Sequence, residues 1–399
     1  MYFVASARHL WHPEVTNGAS SMQHSSRVAY AQTLRGYAAI CVLISHYYGI
    51  FWGNPKAVGD LINAPEAAVT VPAYLTWLHV VPQFNWGAFG VALFFLISGF
   101  VIPFSLSRQG AGAFLVGRFF RIVPLYMVGF TISLVAIGAT TLYFVRSWPF
   151  SPSSVAIHYV PGLRDILWSR NIDGIVWTLE IEMKFYVICA LFAVWFRRTS
   201  LVVFVAPVIL LAMCIWLGAT PASQNYPIAL AAMLSGPYLI YMFIGVAFHY
   251  AHVGRINPQQ MTFLVGALFL IHVVALNGTI FNSMLPGAWS YGAALIVFAF
   301  AASFPVLFRA TKIGEFFANI SYPLYVVHGV AGYAALRLLI DKGASPLSAL
   351  IVVTAAALGL SWLLHVTVET RSDRWGKQLI QRWKARWEKE IPVELAPAE

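Results

Sequence analysis

Charge is scarce in this chain: of 399 residues, 15 are acidic and 25 are Lys or Arg, while 59% are hydrophobic. So few charges cannot cover the surface of a soluble domain of this length. Cysteine is scarcer still. Cys41, Cys189 and Cys214 each fall inside an apolar stretch, where they form neither a disulfide framework nor a metal-ligand spacing and read as small buried hydrophobes. There is no internal repeat and no low-complexity run. The first thirty residues lack the apolar core of a cleavable signal peptide and read as a loosely ordered polar tail. The net charge of +10 does not mark a nucleic-acid binder, because the basic residues sit in short clusters between apolar stretches, as membrane topology demands.

What is abundant is long hydrophobic runs, and the mean hydropathy is +0.72. The fold class expected is all-α, a polytopic membrane bundle of about ten spans, near 34–53, 86–106, 122–145, 177–196, 200–218, 237–253, 259–276, 289–308, 320–340 and 346–368. Each approaches twenty residues, enough to cross about 30 Å of hydrocarbon. An even count puts both termini on one side. Arg108, Arg118, Arg121, Arg197, Arg198, Arg255, Arg309 and Lys312 then share that side with the basic C-terminal tail, while Lys56, Arg146, Arg164, Arg170 and Lys342 face the other. The asymmetry predicts cytoplasmic termini in a multi-pass membrane protein. The expected organisation is an N-terminal tail over 1–30, a membrane domain over 31–370 and a basic tail over 371–399. In the last of these, Trp383 and Trp387 lie one turn apart, as on an amphipathic helix at an anionic leaflet. The longest outer connections, 54–85 and 146–176, carry Pro, Gly, Trp and a few charges, as suits either plain linkers or a loop handling a polar substrate.

Ionisable groups inside such spans are costly and mark candidate sites. In RGYAAICVLISH, Arg35 and His46 stand eleven positions apart, close to three helical turns, so they share a face about 17 Å apart. In GRFFRIVPLY, Arg118 and Arg121 at i, i+3 offer two guanidiniums suited to phosphate oxygens, or simply set topology. In WTLEIEMKFY, Glu180 and Lys184 form an i, i+4 pair, and Glu182 is left to find a partner elsewhere in the bundle. In SYPLYVVH, Ser321, Tyr325 and His328 make a polar stripe at i, i+4, i+7, with Pro323 in the first turn of the expected span. His249, His272 and His365 stand without such company and read as structural or interfacial.

Taken in order, RGYAAICVLISH, GVALFFLISGFVI, RFFR, WTLEIEMKFY and SYPLYVVH resemble the acyltransferase 3 family of integral membrane proteins, over about residues 30–375. Ala92 stands where relatives often carry an acidic residue, and Thr178 replaces a commoner serine; neither touches the His, Arg or Glu positions. The hydrolase-like domain that some relatives append is not expected here. The resemblance implies O-acylation, commonly acetylation, of sugars in cell-envelope glycans, or sometimes of antibiotics and lipids. It implies a cytoplasmic acyl-CoA as co-substrate, with no permanently bound cofactor. By position it makes His46 the catalytic base and Arg118 with Arg121 the donor-binding pair, with Arg35, Glu182, Ser321, Tyr325 and His328 supporting the site.

The chemistry fits those residues. Coenzyme A brings phosphates that require cations, which Arg118, Arg121 and Arg35 supply. An alcohol needs a base as it attacks a thioester, and His46 has the right range. A carboxylate on its other ring nitrogen would fix the tautomer, and Glu182 is the candidate. Ser321 or Tyr325 would donate to the thioester oxygen, and an acyl-histidine route stays open. A proton-coupled transporter or flippase using His46 and Glu182 is the competing class, against which the arginine pair argues. A scaffold subunit is a third, against which the buried polar groups argue.

Overall fold

The computed structural model describes residues 19–68, 70–79, 84–309 and 311–390. Twelve helices of more than ten residues build it: α1 Ala19–Ile44, α2 Trp86–Arg108, α3 Ala111–Tyr143, α4 Val176–Leu191, α5 Val205–Ala219, α6 Pro227–His252, α7 Pro258–Asn277, α8 Ala288–Ser303, α9 Lys312–Val327, α10 Val330–Asp341, α11 Pro346–Leu364 and α12 Thr370–Glu390. No strand occurs among the described residues. The starts follow capping chemistry. Asn85 accepts from the Ala88 amide at 2.9 Å before α2, Asn257 and Gln260 close a capping box on α7, and Thr311 accepts from the Gly314 amide at 3.0 Å before α9.

Among the described residues, seven helices are long and apolar enough to cross a membrane, and an eighth crossing results if the bent pair α9–α10 counts as one. Ten were expected. The two stretches that fall short are those carrying the polar groups. The first holds Arg35 and His46, and the other, α4, is 16 residues long and holds Glu180, Glu182 and Lys184. Each gives up apolarity to the groups it presents inside the bundle.

Helix α1 lies at the centre, packed on α9, α2 and α8. Small residues let the backbones close up, as packing without a hydrophobic driving force requires. A Cβ on Gly99 would collide with the Met242 carbonyl, and one on Gly245 with that of Leu96, so α2 and α6 meet through paired glycines. Gly99→Leu is therefore expected to cost about 1–3 kcal/mol or more, read as a lower unfolding temperature in detergent. An unchanged midpoint would mean that the α2–α6 contact is looser than described.

Helix α1 begins at Ala19, so residues 19–30 are helical rather than loose; residues 1–18 lie outside the described set. At the other end the basic tail is helical through Glu390. α11 runs through a π-helical turn, His365–Glu369, straight into α12. That helix docks on α3, where a Cβ on Gly376 would stand 2.8 Å from the Phe120 Cβ. Trp383 is exposed, and the Trp387 side chain lies outside the described residues. Pro323 is interior to α9, eleven residues after its start, and so removes the helix bond to the Asn319 carbonyl. After His328 the chain bends by 72° into α10.

Candidate active site

Two polar constellations occupy the bundle, joined along α1 and α9. The first lines a cavity of ≈ 270 Å³ at the end of the bundle holding the start of α3 and the π-helical turn after α11. Arg35, Arg121, Glu182, Ser321 and Tyr325 all face it. Glu182 Oε1 accepts from Ser98 Oγ at 2.8 Å and from Tyr186 Oη at 2.5 Å, so two hydroxyls fix its carboxyl group. Ser321 donates to the Ala318 carbonyl at 2.7 Å, and Tyr325 shares a 2.6 Å hydrogen bond with Thr178.

The second constellation begins one turn further along α9. Tyr325 packs on His328 with ring centroids 5.6 Å apart, and His328 meets the edge of His46 at 4.6 Å. His328 donates from Nδ1 to the carbonyls of Leu324 at 3.0 Å and Tyr325 at 2.8 Å. Carbonyls only accept, so the ring proton sits on Nδ1, and the buried Nε2 presents a lone pair that has no partner among the described residues. His46 Nδ1 is hydrogen-bonded to Tyr333 Oη at 2.7 Å, and its ring is only partly buried. It lies on a second π-helical segment, Ser45–Ile50. π-helical turns are rare and concentrate at functional sites, and both of those here carry polar side chains of the two constellations.

Several expectations change. The group on His46 Nδ1 is not Glu182, whose Oε1 takes both Ser98 and Tyr186, but the phenol of Tyr333 on α10. Arg118 and Arg121 diverge. Arg121 faces the cavity, but Arg118 donates to Ser105 Oγ at 2.7 Å and stacks over Phe114 and Tyr186, turned onto an apolar groove. His365 has company after all, bonding Glu369 at 2.7 Å on the cavity rim. His249 and His272 bond the backbone carbonyls of Phe100 and Pro237.

Nor is Glu180 neutralised by Lys184. Arg164, from the connection 146–176, reaches it with Nε at 2.8 Å and Nη2 at 2.5 Å, and Lys184 pairs with Asp165 instead. Burial disfavours the charge on Arg164, and the bonded Glu180 carboxylate more than restores it, so the pKa is raised. Asp173 of the same connection caps α4 by accepting from the amides of Ile175 and Val176 at 3.1 and 3.0 Å. Tyr126 donates to Asp173 at 3.0 Å, and His158, fully buried, lies 3.4 Å from it. The connection is thus a folded plug that fixes the start of α4, and with it Thr178 and Glu182.

A family model described as an acyltransferase domain matches residues 28–366. Nodulation protein 10 of Rhizobium leguminosarum bv. viciae is 28% identical over 213 residues, covering 47% of this chain and 52% of that protein. The chain therefore spans about half the length of this curated relative. No solved structure matches. With a multi-pass helical membrane bundle, histidine and arginine sites along it and a family match over most of its length, the chain belongs to the acyltransferase 3 family.

Proposed function

We propose that the protein transfers an acyl group, in the simplest case acetyl, from cytoplasmic acyl-CoA to a hydroxyl of a cell-envelope or exported glycan. The observation that carries this reading is the alignment of two arginines on a cavity with a histidine cluster beyond its Tyr325 wall. Cations at a mouth and a neutral base deeper in suit a polyanionic donor with a slender reactive arm. The topology proposed with it is ten crossings of the inner membrane with both termini cytoplasmic. α1 and α4 then cross as polar spans sheltered by their neighbours.

In this reading Arg35 and Arg121 hold the donor phosphates. His46 donates its Nδ1 proton to Tyr333 and keeps a lone pair on Nε2. That nitrogen takes the proton of the acceptor hydroxyl as its oxygen bonds to the thioester carbonyl carbon. The tetrahedral oxyanion collapses, the carbon–sulfur bond breaks, and the coenzyme A thiolate leaves with the proton returned by His46. Tyr325, whose ring packs on His328, supplies the hydroxyl for the oxyanion by turning from its bond to Thr178. The cavity also holds Ser321, whose proton is bonded to its own helix.

Removing both cavity arginines, Arg35→Ala with Arg121→Ala, is expected to weaken acyl-CoA binding at least tenfold, measured by calorimetry on the purified protein, because each charge-assisted bond contributes about 1.5–3 kcal/mol. Unchanged affinity would leave the arginines as topology signals. Tyr333→Phe is expected to lower kcat with little change in KM for the donor. It removes the group that orients the base and touches no substrate. A change confined to KM would place Tyr333 in binding.

A further inference from the structure

A large cavity outside the site remains. It is a groove of ≈ 930 Å³ between α3 and α4 on one side and α5 and α6 on the other, its end closed by the segment 160–166. Its walls are almost wholly apolar, with Phe119 and Val187 prominent and exposed. Two cations interrupt them. Lys184 is already paired with Asp165. Arg118 has only the neutral Ser105 hydroxyl and two aromatic rings, and no carboxylate within ion-pair distance among the described residues. Ser235, 1% exposed, also lines the groove, and its Oγ has no hydrogen-bond partner among the described residues. A guanidinium and a hydroxyl left without counter-groups in an apolar wall are costly unless something else satisfies them.

We propose that this groove is a binding site for an anionic phospholipid, with its phosphodiester at Arg118 and its hydrocarbon along the apolar wall. One uncompensated positive charge matches one phosphodiester negative charge, and guanidinium binds phosphate oxygens in a bidentate fork. The ester oxygens of a lipid are the acceptors that Ser235 lacks. Ile122 and Tyr186 line both the groove and the arginine cavity, and Tyr186 holds Glu182, so an occupant of the groove borders directly on the site. The binding does not depend on the transfer reaction.

The test is lipid retention by the full-length protein. Purified protein is reconstituted in nanodiscs of equal phosphatidylglycerol and phosphatidylcholine, and the lipids still bound after release are weighed by native mass spectrometry. The wild type is expected to retain phosphatidylglycerol preferentially. Arg118→Gln is expected to cut that preference about fivefold, the effect of one basic residue at an anionic lipid, and Arg118→Lys to keep most of it. Val187→Trp, which fills the groove, is expected to lower the retention of both lipids. Equal retention of the two by the wild type, as for bulk annular lipid only, overturns the proposal. So does a preference that survives in Arg118→Gln, or an unchanged lipid count in Val187→Trp.

Discussion

Replacing His46 by alanine is expected to lower acyl transfer by about 10² to 10⁴, the usual contribution of general acid–base assistance, while acyl-CoA binding is retained. His46, the proposed base, lies on the π-helical segment after α1, beyond His328 and Tyr325, whereas the cavity arginines sit on α1 (Arg35) and α3 (Arg121) on the other side of Tyr325. Binding and chemistry are therefore separable by mutation. The rate is also expected to fall on acidification as the imidazole takes up a proton and loses the lone pair that does the work. Single-turnover transfer with saturating acyl-CoA separates the two effects. Near-wild-type turnover by His46→Ala would move the chemistry to His328, whose Nε2 is the next unengaged base.

The second large effect lies in folding. Arg164→Met is expected to destabilise the protein by about 3–5 kcal/mol, because it leaves Glu180 buried and unpaired. The carboxylate is 1% exposed and receives two guanidinium bonds. Combining Arg164→Met with Glu180→Leu is expected to restore much of the loss, since the isolated charge rather than the missing bond is the main cost. Thermal unfolding of the four proteins in detergent gives the double-mutant cycle. Equal midpoints for Arg164→Met and the wild type would mean that the plug formed by the connection 146–176 carries no stability.

Much of this was legible in the sequence, and what was not has a physical reason. Hydropathy announced the helical membrane bundle, because apolar runs of that length have few other uses. The α-helical period put Ser321, Tyr325 and His328 in one stripe, and the bundle keeps it, with Ser321 and Tyr325 on the cavity and Tyr325 packed on His328. His46 lies on a π-helical segment, where the α-helical projection from Arg35 no longer applies. Pairing between helices was not legible. Which hydroxyls reach Glu182 depends on how α4 is turned against α2, and nothing local in WTLEIEMKFY encodes Ser98. Local rules also misled. An i, i+4 reading joined Glu180 to Lys184, whereas a residue sixteen positions back makes the stronger, bidentate bond. Arg118 and Arg121 are neighbours on α3, yet Ser105 and two aromatic rings draw one of them away. Tyr333 was missed because it follows the bend after His328, where a straight-helix projection no longer holds. A polar residue five positions beyond a buried histidine was the only signal.

The central claim is that this bundle moves an acyl group from a coenzyme A thioester to a hydroxyl, with His46 as the base. The most direct measurement incubates the purified protein with acetyl-CoA labelled in the acetyl group and a panel of hydroxyl-bearing glycan acceptors, then follows the label and the free thiol together. The account predicts label in an alkali-labile ester on the acceptor, one thiol released for each ester formed, and loss of both in His46→Ala. Acceptor movement or proton flux across a vesicle membrane, with acetyl-CoA left intact, would contradict it.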